Sequence, residues 1–481
     1  MKTRCLFACA LSACAALLGL ARAAGSGPEA SDLPVTVGPE VVIAGGGLGE
    51  NSRGTPAVAF GGGSYLVAWR EGWEGKNGGA RIRGVRVGPD GKVLDPRPIE
   101  LAENADRDAP QERPRIAFCK GTFLVVWHDL RNGADYDVLA ARVSAKGRRL
   151  DDTPIKVAVG PHNQALPDVA SDDVGFLVVW QGFVEADRSF HGYSTRVGLD
   201  GKVAPPAEVG LAPCLRVAFD GAHFLVACGS RGFWLTGDVR RLGRDGRPPP
   251  GEKPFRAAVR VGLYSLSAVP GKGWLLVTHR NRPNAWGWGG PGAMRCFFIL
   301  SAGKMDPSME KEKGYPGYDT FEPNWLDYAT KDRQRWPHGL SASAWDGRQS
   351  VVVWQRYRCV GEKRSTLANS DIFLSRTDRW KRQSDSPLAV AAGDAEESAP
   401  DLASDGAGNL LCVYEKEVGP GTVICARTLR SADLHRAGRC PAVAACAWRQ
   451  RSDRCECGWR RWRRWLWRDW CRRMSPTQGP S

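Results

Sequence analysis

The chain has 481 residues, of which 25% are charged, and a formal net charge of +15. The excess of positive charge lies at the two ends, because residues 1–23 carry +3 and residues 431–481 carry +8, which leaves +4 for residues 24–430. A body so close to neutrality lacks the basic surface with which proteins bind phosphate backbones. This composition argues against nucleic acid as a partner.

The first 23 residues have the organisation of a secretory signal peptide. Lys2 and Arg4 precede an apolar run from Cys5 to Leu20, and Ala21-Arg22-Ala23 forms an A-x-A cleavage site. The apolar run is short for a membrane span. We therefore expect an exported protein with no transmembrane segment after cleavage, followed by a linker over residues 24–32.

A second interpretation of the same region is a lipoprotein cleavage box. Leu11-Ser12-Ala13-Cys14 fits that pattern and would place a lipid on Cys14. Apolar residues continue well past Cys14, which favours the ordinary signal peptide.

One pattern recurs seven times along the body: a short apolar run that usually ends in an aromatic residue. The last residues of successive runs are separated by 58, 53, 48, 50, 76 and 60 positions. Repeats of this length are typical of solenoids and propellers. The seven runs are Tyr65–Trp69, Phe123–Trp127, Phe176–Trp180, Phe224–Cys228, Trp274–Thr278, Ser350–Trp354 and Leu410–Tyr414.

Each run sits in the same frame of four short segments. A segment that opens with Pro in several copies, such as Pro114-Arg-Ile-Ala-Phe118, leads through a Gly-rich or Asp-Gly turn into the run. A third segment follows, such as Gly84-Val-Arg-Val87, and then a fourth, such as Val93–Ile99. Four strands joined by hairpins make one antiparallel propeller blade, whose second strand is apolar throughout because neighbouring blades cover both its faces.

The sequence therefore predicts an all-β fold, a seven-bladed β-propeller of four-stranded antiparallel blades over residues 33–430. An array of sandwich domains is the rival, but each repeat is only about half the length of an immunoglobulin-like domain. Residues 305–336 form an insertion between blades five and six. Blade seven lacks a fourth segment, whereas Leu33–Ile43 before blade one resembles one. We expect this N-terminal strand to pair beside Val423–Arg427 and close the ring.

These repeats resemble the tandem propeller repeats of large proteins that Gram-negative bacteria secrete, most of which are uncharacterised. The resemblance covers about residues 33–430 and matches no enzyme family, since the S-x-D-x-G-x-T-W box of sialidases is missing. It implies the fold, and a location in the periplasm, outside the cell or on the outer surface.

The last segment, residues 431–481, departs from the repeat pattern. It holds six of the 19 Trp residues and twelve Arg but no Lys. Three interpretations remain open: association with an anionic membrane surface, binding of acidic polymers, and a frameshifted translation of GC-rich DNA. The absence of Lys favours the frameshift, and otherwise we expect the tail to be disordered.

The sequence carries no established catalytic or metal motif, so no cofactor and no metal are expected. His128-Asp129 and Asp135-Tyr-Asp137 are interpreted as a solvated turn rather than a metal cluster. An Arg recurs in the third segment of six repeats, at Arg86, Arg142, Arg196, Arg241, Arg376 and Arg427, with Ile299 in the fifth. We expect these arginines to join neighbouring blades. Cys412 and Cys425 are predicted to be either a disulfide across a hairpin or two buried thiols.

The sequence departs most from the short repeat around blades five and six. Three loops there are rich in aromatic and Arg residues, and they should emerge on one face beside the channel mouth. Such residues suit sugar rings or peptide side chains. The alternative is a satellite hydrophobic cluster that buries the insertion. The candidate ligand-binding residues are Arg280, Trp286, Trp288, Tyr318, Trp325, Tyr328, Arg356 and Tyr357.

The leading hypothesis from sequence is a monomeric, non-enzymatic binding or scaffold propeller for a glycan, peptide or protein. The alternative is a carbohydrate-active hydrolase or lyase with two carboxylates near the channel mouth. A purely structural surface protein is the third.

Overall fold

The computed structural model describes residues 35–45, 53–72, 80–102, 111–210, 215–229, 236–259, 261–280, 282–283, 289–290, 294–302, 304–305, 318–319, 340–360, 366–378, 381–382, 387–419 and 421–431. The strands of these ranges form seven antiparallel sheets, one for each predicted repeat, and a separate two-stranded ribbon. The predicted all-β, seven-bladed propeller is confirmed.

Blades one to four each contain four consecutive strands. Blade one consists of β2 (Arg53–Gly61), β3 (Ser64–Gly72), β4 (Ala80–Val87) and β5 (Ile99–Ala102). Blade two consists of β6 (Gln111–Cys119), β7 (Thr122–Asp129), β8 (Asp137–Ser144) and β9 (Ile155–Ala158). Blade three consists of β10 (Gln164–Ser171), β11 (Phe176–Val184), β12 (Ser189–Val197) and β13 (Ala207–Glu208). Blade four consists of β14 (Leu215–Phe219), β15 (Phe224–Gly229), β16 (Thr236–Leu242) and β17 (Phe255–Val259).

Blades five and six carry additional short strands. Blade five consists of β18 (Val261–Val269), β19 (Gly273–Arg280), β22 (Met294–Leu300) and β23 (Lys304–Met305), with β24 (Tyr318–Asp319) also paired to β22. The ribbon is formed by β20 (Arg282–Pro283) and β21 (Gly289–Gly290). Blade six consists of β25 (Ser341–Trp345), β26 (Ser350–Val360), β27 (Thr366–Asp378) and β28 (Lys381–Arg382), with β29 (Leu388–Ala391) also paired to β27.

Blade seven is completed by the strand that precedes blade one. It consists of β30 (Glu397–Ser404), β31 (Asn409–Val418), β32 (Gly421–Ser431) and β1 (Val35–Ala44). β1 runs antiparallel to β32, and Val41 lies opposite Ala426. The predicted closure of the ring by an N-terminal strand is confirmed.

The second strand of a blade is buried on both faces, as its composition predicts. All nine residues of β3 are buried. Tyr65, Val67 and Trp69 pack against blade seven, whereas Leu66 and Ala68 pack against blade two. Because successive side chains of a strand point to opposite faces, one apolar strand supplies two blade interfaces.

The ring is continuous around its axis. Seven hydrophobic clusters each join two neighbouring blades, including the pair of blade seven and blade one. The first strands also contact each other in sequence around the axis, β2 with β6 through to β25 with β30, and β30 contacts β2. The first strand of every blade therefore faces the axial channel.

Three details of the register differ from the sequence-based expectation. The fourth strand of blade one begins at Ile99, and Asp95 in the segment before it binds Arg86. In blade seven, Thr428 occupies the register position at which the recurrent Arg was expected, and it lies opposite Leu411. Arg427 lies opposite Cys412 instead. In blade five that position holds Phe298 rather than Ile299, since Phe298 lies opposite Leu275.

Candidate functional site

A cavity of about 240 Å³ lies on the axis, and residues from the first strands of all seven blades line it. In blades three and five the lining begins at or past the middle of the first strand, at Asp168 and Ser265, whereas in blades one and two it reaches back to Thr55 and Arg113, near the strand's start. That end lies on the face from which the loops between second and third strands emerge, because the first and second strands are antiparallel. In blades one and two the lining therefore extends toward that face.

One register position of each blade forms a ring at a single level of the channel. In every blade this residue lies opposite the fourth residue of the apolar run. Six of the seven line the cavity, and four of those six are charged. In blade order the ring is Ala57, Arg115, Asp168, Arg216, Ser265, Ala342 and Asp401.

A bulge precedes the ring position in five blades, and in four of these it has one common form. Thr55, Arg113, Leu166 and Ala399 each have positive φ, each stands immediately before a Pro, and each coincides with a register shift. Two of their backbone N–H groups bind the preceding blade: Leu166 N donates to Nδ1 of His128 at 3.2 Å, and Thr55 N donates to the Glu415 carboxylate. The bulge also places the exposed Arg113 at the rim, above Arg115.

Side chains of the ring bind the next blade in one recurrent way. Oδ2 of Asp168 accepts a hydrogen bond from Val217 N at 2.9 Å, and Oδ2 of Asp401 accepts one from Val58 N at 2.9 Å. Both donors follow the ring position of the next blade. The Ser265 hydroxyl reaches the hydroxyl of Ser343, at the corresponding position, at 3.0 Å. The first strands are thus fastened to each other by the same side chains that line the cavity.

The charged groups of the ring influence each other across the channel. Arg115 Nε lies 3.8 Å from Oδ1 of Asp168, a long ion pair between blades two and three. Burial raises the pKa of the Asp401 carboxyl above its ordinary value, and the negative charge of Asp168 adds to that rise. The Arg115 guanidinium and the N–H groups of Val58 and Leu402 act in the opposite direction without cancelling it.

Half of the ligand-binding residues proposed from sequence fall outside the described residues. These are Trp286, Trp288, Trp325 and Tyr328. The backbones of Arg280, Tyr318 and Tyr357 belong to β19, β24 and β26. Tyr318 pairs with Cys296 on β22, so this part of the insertion extends the sheet of blade five.

Arg356 is the one candidate of that set whose side chain is described. It is half-buried and lies over the ring of Phe373, with 5.1 Å from Cζ to the ring centroid. This cation–π contact joins two neighbouring strands of blade six. Arg356 thus has a structural contact within its own blade.

The polar cluster of blade two forms a turn, but His128, Asp129 and Asp137 are buried rather than solvated, in contrast to the sequence-based expectation. The Asn132 side-chain oxygen accepts hydrogen bonds from the N–H groups of Ala134 and Asp135. Asp129 is fully buried and accepts from Trp127 Nε1 at 2.9 Å and from the Arg131 guanidinium. Across the described ranges, no group of three or more His, Cys, Asp or Glu side chains is placed to hold a metal ion.

Four of the third-strand arginines, Arg86, Arg142, Arg196 and Arg241, contact the next blade, as expected, and each also binds an acid of its own blade. Arg142 pairs with Asp151 at 2.6 Å and donates to the carbonyl of Leu199 in blade three at 2.6 Å. Arg86 makes the same two contacts with Asp95 and with the carbonyl of Ala145. Arg427, outside this register, donates instead to the carbonyl of Gly38 in the closing strand.

Cys412 and Cys425 are free and fully buried. They do not lie opposite each other, because Cys412 pairs with Arg427 and Cys425 with Tyr414. Both belong to the hydrophobic cluster between blades six and seven. Of the two predicted alternatives, the structure therefore contains the buried thiols.

Sequence analysis missed the charged ring. Its signal was nonetheless present in the residue that follows Pro in the first segments, at Pro114-Arg115, Pro167-Asp168 and Pro400-Asp401. In each of these pairs the charged residue lines the cavity.

Comparison with known proteins gives structural likenesses alone. No family model and no curated protein matches the chain. Among solved structures, it is similar to Trypanosoma rangeli sialidase, with 8% identity and a TM-score of 0.45 over 84% of this chain and 60% of that one. It is also similar to the hemagglutinin-neuraminidase of parainfluenza virus 5, with 9% identity and a TM-score of 0.44 over 84% and 96% of the chains.

The β-propeller domain of the trilobed protease from Pyrococcus furiosus is a third similar structure, with 11% identity and a TM-score of 0.42 over 79% and 95% of the chains. The chain therefore spans about 60% of the length of the trypanosome sialidase that it matches. Likenesses this distant carry no conclusion about activity, ligand or partner. Within the described ranges, no helix has the length and apolar character needed to cross a membrane.

Proposed function

We propose that the protein is an exported, non-enzymatic binding propeller whose ligand, a glycan or a peptide, enters the axial channel. The supporting observation is the ring of charged side chains in a cavity that all seven blades line. Small-molecule sites are concave and place a few polar groups at defined positions. The candidate aromatic residues of blades five and six then serve as a contact surface beside the mouth.

The charged side chains have two separable roles in this proposal. Asp168 and Asp401 each bind a backbone N–H of the next blade and so hold the ring together. Arg113 is exposed, and Arg115 and Arg216 are half-buried in the cavity wall. These three arginines are the groups that we assign to ligand contact, because a guanidinium presents five N–H donors in a planar fork.

The test is a glycan and peptide array screened with the purified full chain, followed by the same screen with Arg216→Gln. We expect binding that this variant weakens by about tenfold or more, the effect typical of losing a charged hydrogen bond. Lys202→Gln is the matched control, since Lys202 is exposed and pairs with Asp200 in a turn. Equal binding by Arg216→Gln and the unaltered chain would remove the channel from the proposal.

The hydrolase alternative has one observation in its favour. Asp168 and Asp401 line the same cavity, and the pKa of Asp401 is raised, whereas Asp168 lies close to Arg115. Carboxyls whose environments differ in this way form the acid–base pairs of glycosidases. Release of reducing sugar from a polysaccharide panel, abolished by Asp401→Asn, would support the enzyme. The binding proposal predicts no turnover by either protein.

A further inference from the structure

The charges of the ring are distributed unequally around the axis. Arg115 and Arg216, on blades two and four, flank Asp168 on blade three, and Arg113 adds a third guanidinium at the rim. Asp401 belongs to blade seven. In a closed ring of seven, blade seven is three positions from blades three and four and two positions from blade two, so Asp401 lies across the channel from Arg216 and nearer to Arg115.

The two walls therefore differ in sign. Three guanidiniums and one carboxylate occupy the side formed by blades two to four, and that carboxylate lies 3.8 Å from Arg115 Nε. Among the described lining residues, Asp401 is the one charged group of the other four blades. Between the walls, the hydroxyls of Ser265 and Ser343 provide an uncharged polar surface.

The size of the cavity limits what it can hold. Its volume of about 240 Å³ is below the roughly 300–1,000 Å³ of typical small-molecule pockets. A single amino acid or one sugar ring fits this space, whereas a folded partner does not. A ligand complementary to both walls must carry an anionic and a cationic group.

We infer that the axial cavity binds a free α-amino acid, its carboxylate on Arg115 and Arg216 and its ammonium toward Asp401. This inference rests on the proposed function in one respect, namely that the ligand enters the channel. Guanidiniums bind carboxylates through paired N–H donors. The ammonium group offsets the cost of holding the Asp401 carboxylate in a confined site.

The experiment is isothermal titration calorimetry of the full chain with a panel of the standard L-amino acids at pH 7. The tightest binder is then compared with its amide, which lacks the carboxylate, and with its N-acetyl derivative, which lacks the ammonium. We expect each derivative to bind about tenfold or more weakly than the free amino acid. Equal binding by either derivative, or no binding by any amino acid, would overturn the inference.

Two variants test which wall of the cavity binds which charged group of the ligand. In Arg216→Gln the preference for the free acid over its amide should shrink to what Arg115 alone provides, while the loss on N-acetylation persists. In Asp401→Asn the acetylated and free amines should bind equally, while the carboxylate is still required. Lys202→Gln should match the unaltered chain, and Arg115→Gln replaces Arg216→Gln if that variant does not fold, because Arg115 is the other group assigned to the carboxylate.

Failure of this inference can be distinguished from failure of the proposed function. An array ligand that requires Arg216 while no amino acid binds would overturn the amino-acid assignment and leave the channel as the binding site. An amino acid that binds with the same affinity to Arg216→Gln and Asp401→Asn would exclude this cavity altogether.

Discussion

The Tyr414 hydroxyl donates a hydrogen bond to Glu40 at 2.6 Å and so joins the closing strand to blade seven. Lys416 Nζ lies 2.8 Å from the other oxygen of the same carboxylate. One side chain of β1 thus binds two residues of β31, although β32 lies between the two strands.

Glu40→Gln should lower the free energy of unfolding by about 2 kcal/mol at pH 7, the contribution of a charged hydrogen bond. Burial alone would raise the pKa of Glu40, but the bonds from Lys416 and Tyr414 outweigh it and hold that pKa below the ordinary 4.5. The stabilisation is therefore present above pH 4.5 and is lost as the pH falls through the lower folded value. Urea unfolding from pH 7 to pH 3 should show the two proteins converge, and a constant difference at all pH values would contradict this.

Asp401→Asn and Asp401→Ala should have opposite effects on stability. The pKa of Asp401 is raised, so its charge costs stability at pH values above that raised pKa, and Asn removes this cost while its oxygen still accepts from Val58 N. Ala leaves the N–H of Val58 without this acceptor, which should cost about 1–3 kcal/mol. Thermal unfolding at pH 7 should therefore rank Asn at or above the unaltered chain and Ala below it.

Arg142→Ala should destabilise the ring far more than removal of a surface cation. Its ion pair with Asp151 has side chains only 15% and 9% exposed, and the loss leaves a buried carboxylate unpaired, at a cost of about 3 kcal/mol. Lys202→Ala breaks a pair whose side chains are 88% and 54% exposed, which should cost about 0–1 kcal/mol. Denaturant unfolding of both variants measures the difference, and equal costs would show that Arg142 does not fasten the blades.

The thiols of Cys412 and Cys425 should resist alkylation while the chain is folded. Burial raises the pKa of Cys425 to about 12 and that of Cys412 still further, so neither forms the reactive thiolate at neutral pH. Mass spectrometry after iodoacetamide treatment should find both unmodified in the native protein and both modified in urea without reductant. Failure to react in urea until a reductant is added would show a disulfide.

Trp286→Ala and Trp325→Ala test the contact surface proposed from sequence on blades five and six. If these side chains stack on the ligand, each substitution should weaken array binding by about tenfold, since an aromatic contact contributes on the order of 1 kcal/mol or more. Binding unchanged in both variants, with stability also unchanged, would restrict the site to the channel. A loss of stability with binding retained would favour the satellite hydrophobic cluster.

The architecture followed from sequence because one apolar run per repeat is sufficient to place a second strand. Tyr65–Trp69 and the six equivalent runs are buried on both faces. Each run can be recognised in the sequence without knowing which segments it contacts. The closing strand was also predictable, since blade seven lacked a fourth segment and residues 33–43 supplied one.

The strand register and the ring of charged residues were harder to predict from the sequence. The sequence analysis placed Arg427 at the recurrent Arg position of the third strand, which is one residue away from its observed register. The turn sets the register of a hairpin, and the sequence does not show whether a turn adds a residue. Arg115, Asp168, Arg216 and Asp401 are far apart in the chain, and only closure of the ring brings them to one level. Composition gives no sign of that convergence.

The closing strand also determines the order in which the molecule can be completed. β1 is made near the start of the chain, yet its partner β32 ends at Ser431, so the two can pair only after all seven blades have been synthesised. Until then β1 carries unpaired backbone groups that can pair with other chains. Final assembly is thus a long-range step of high contact order, slow relative to the folding of individual blades, and the period before it is when the protein is most prone to aggregation.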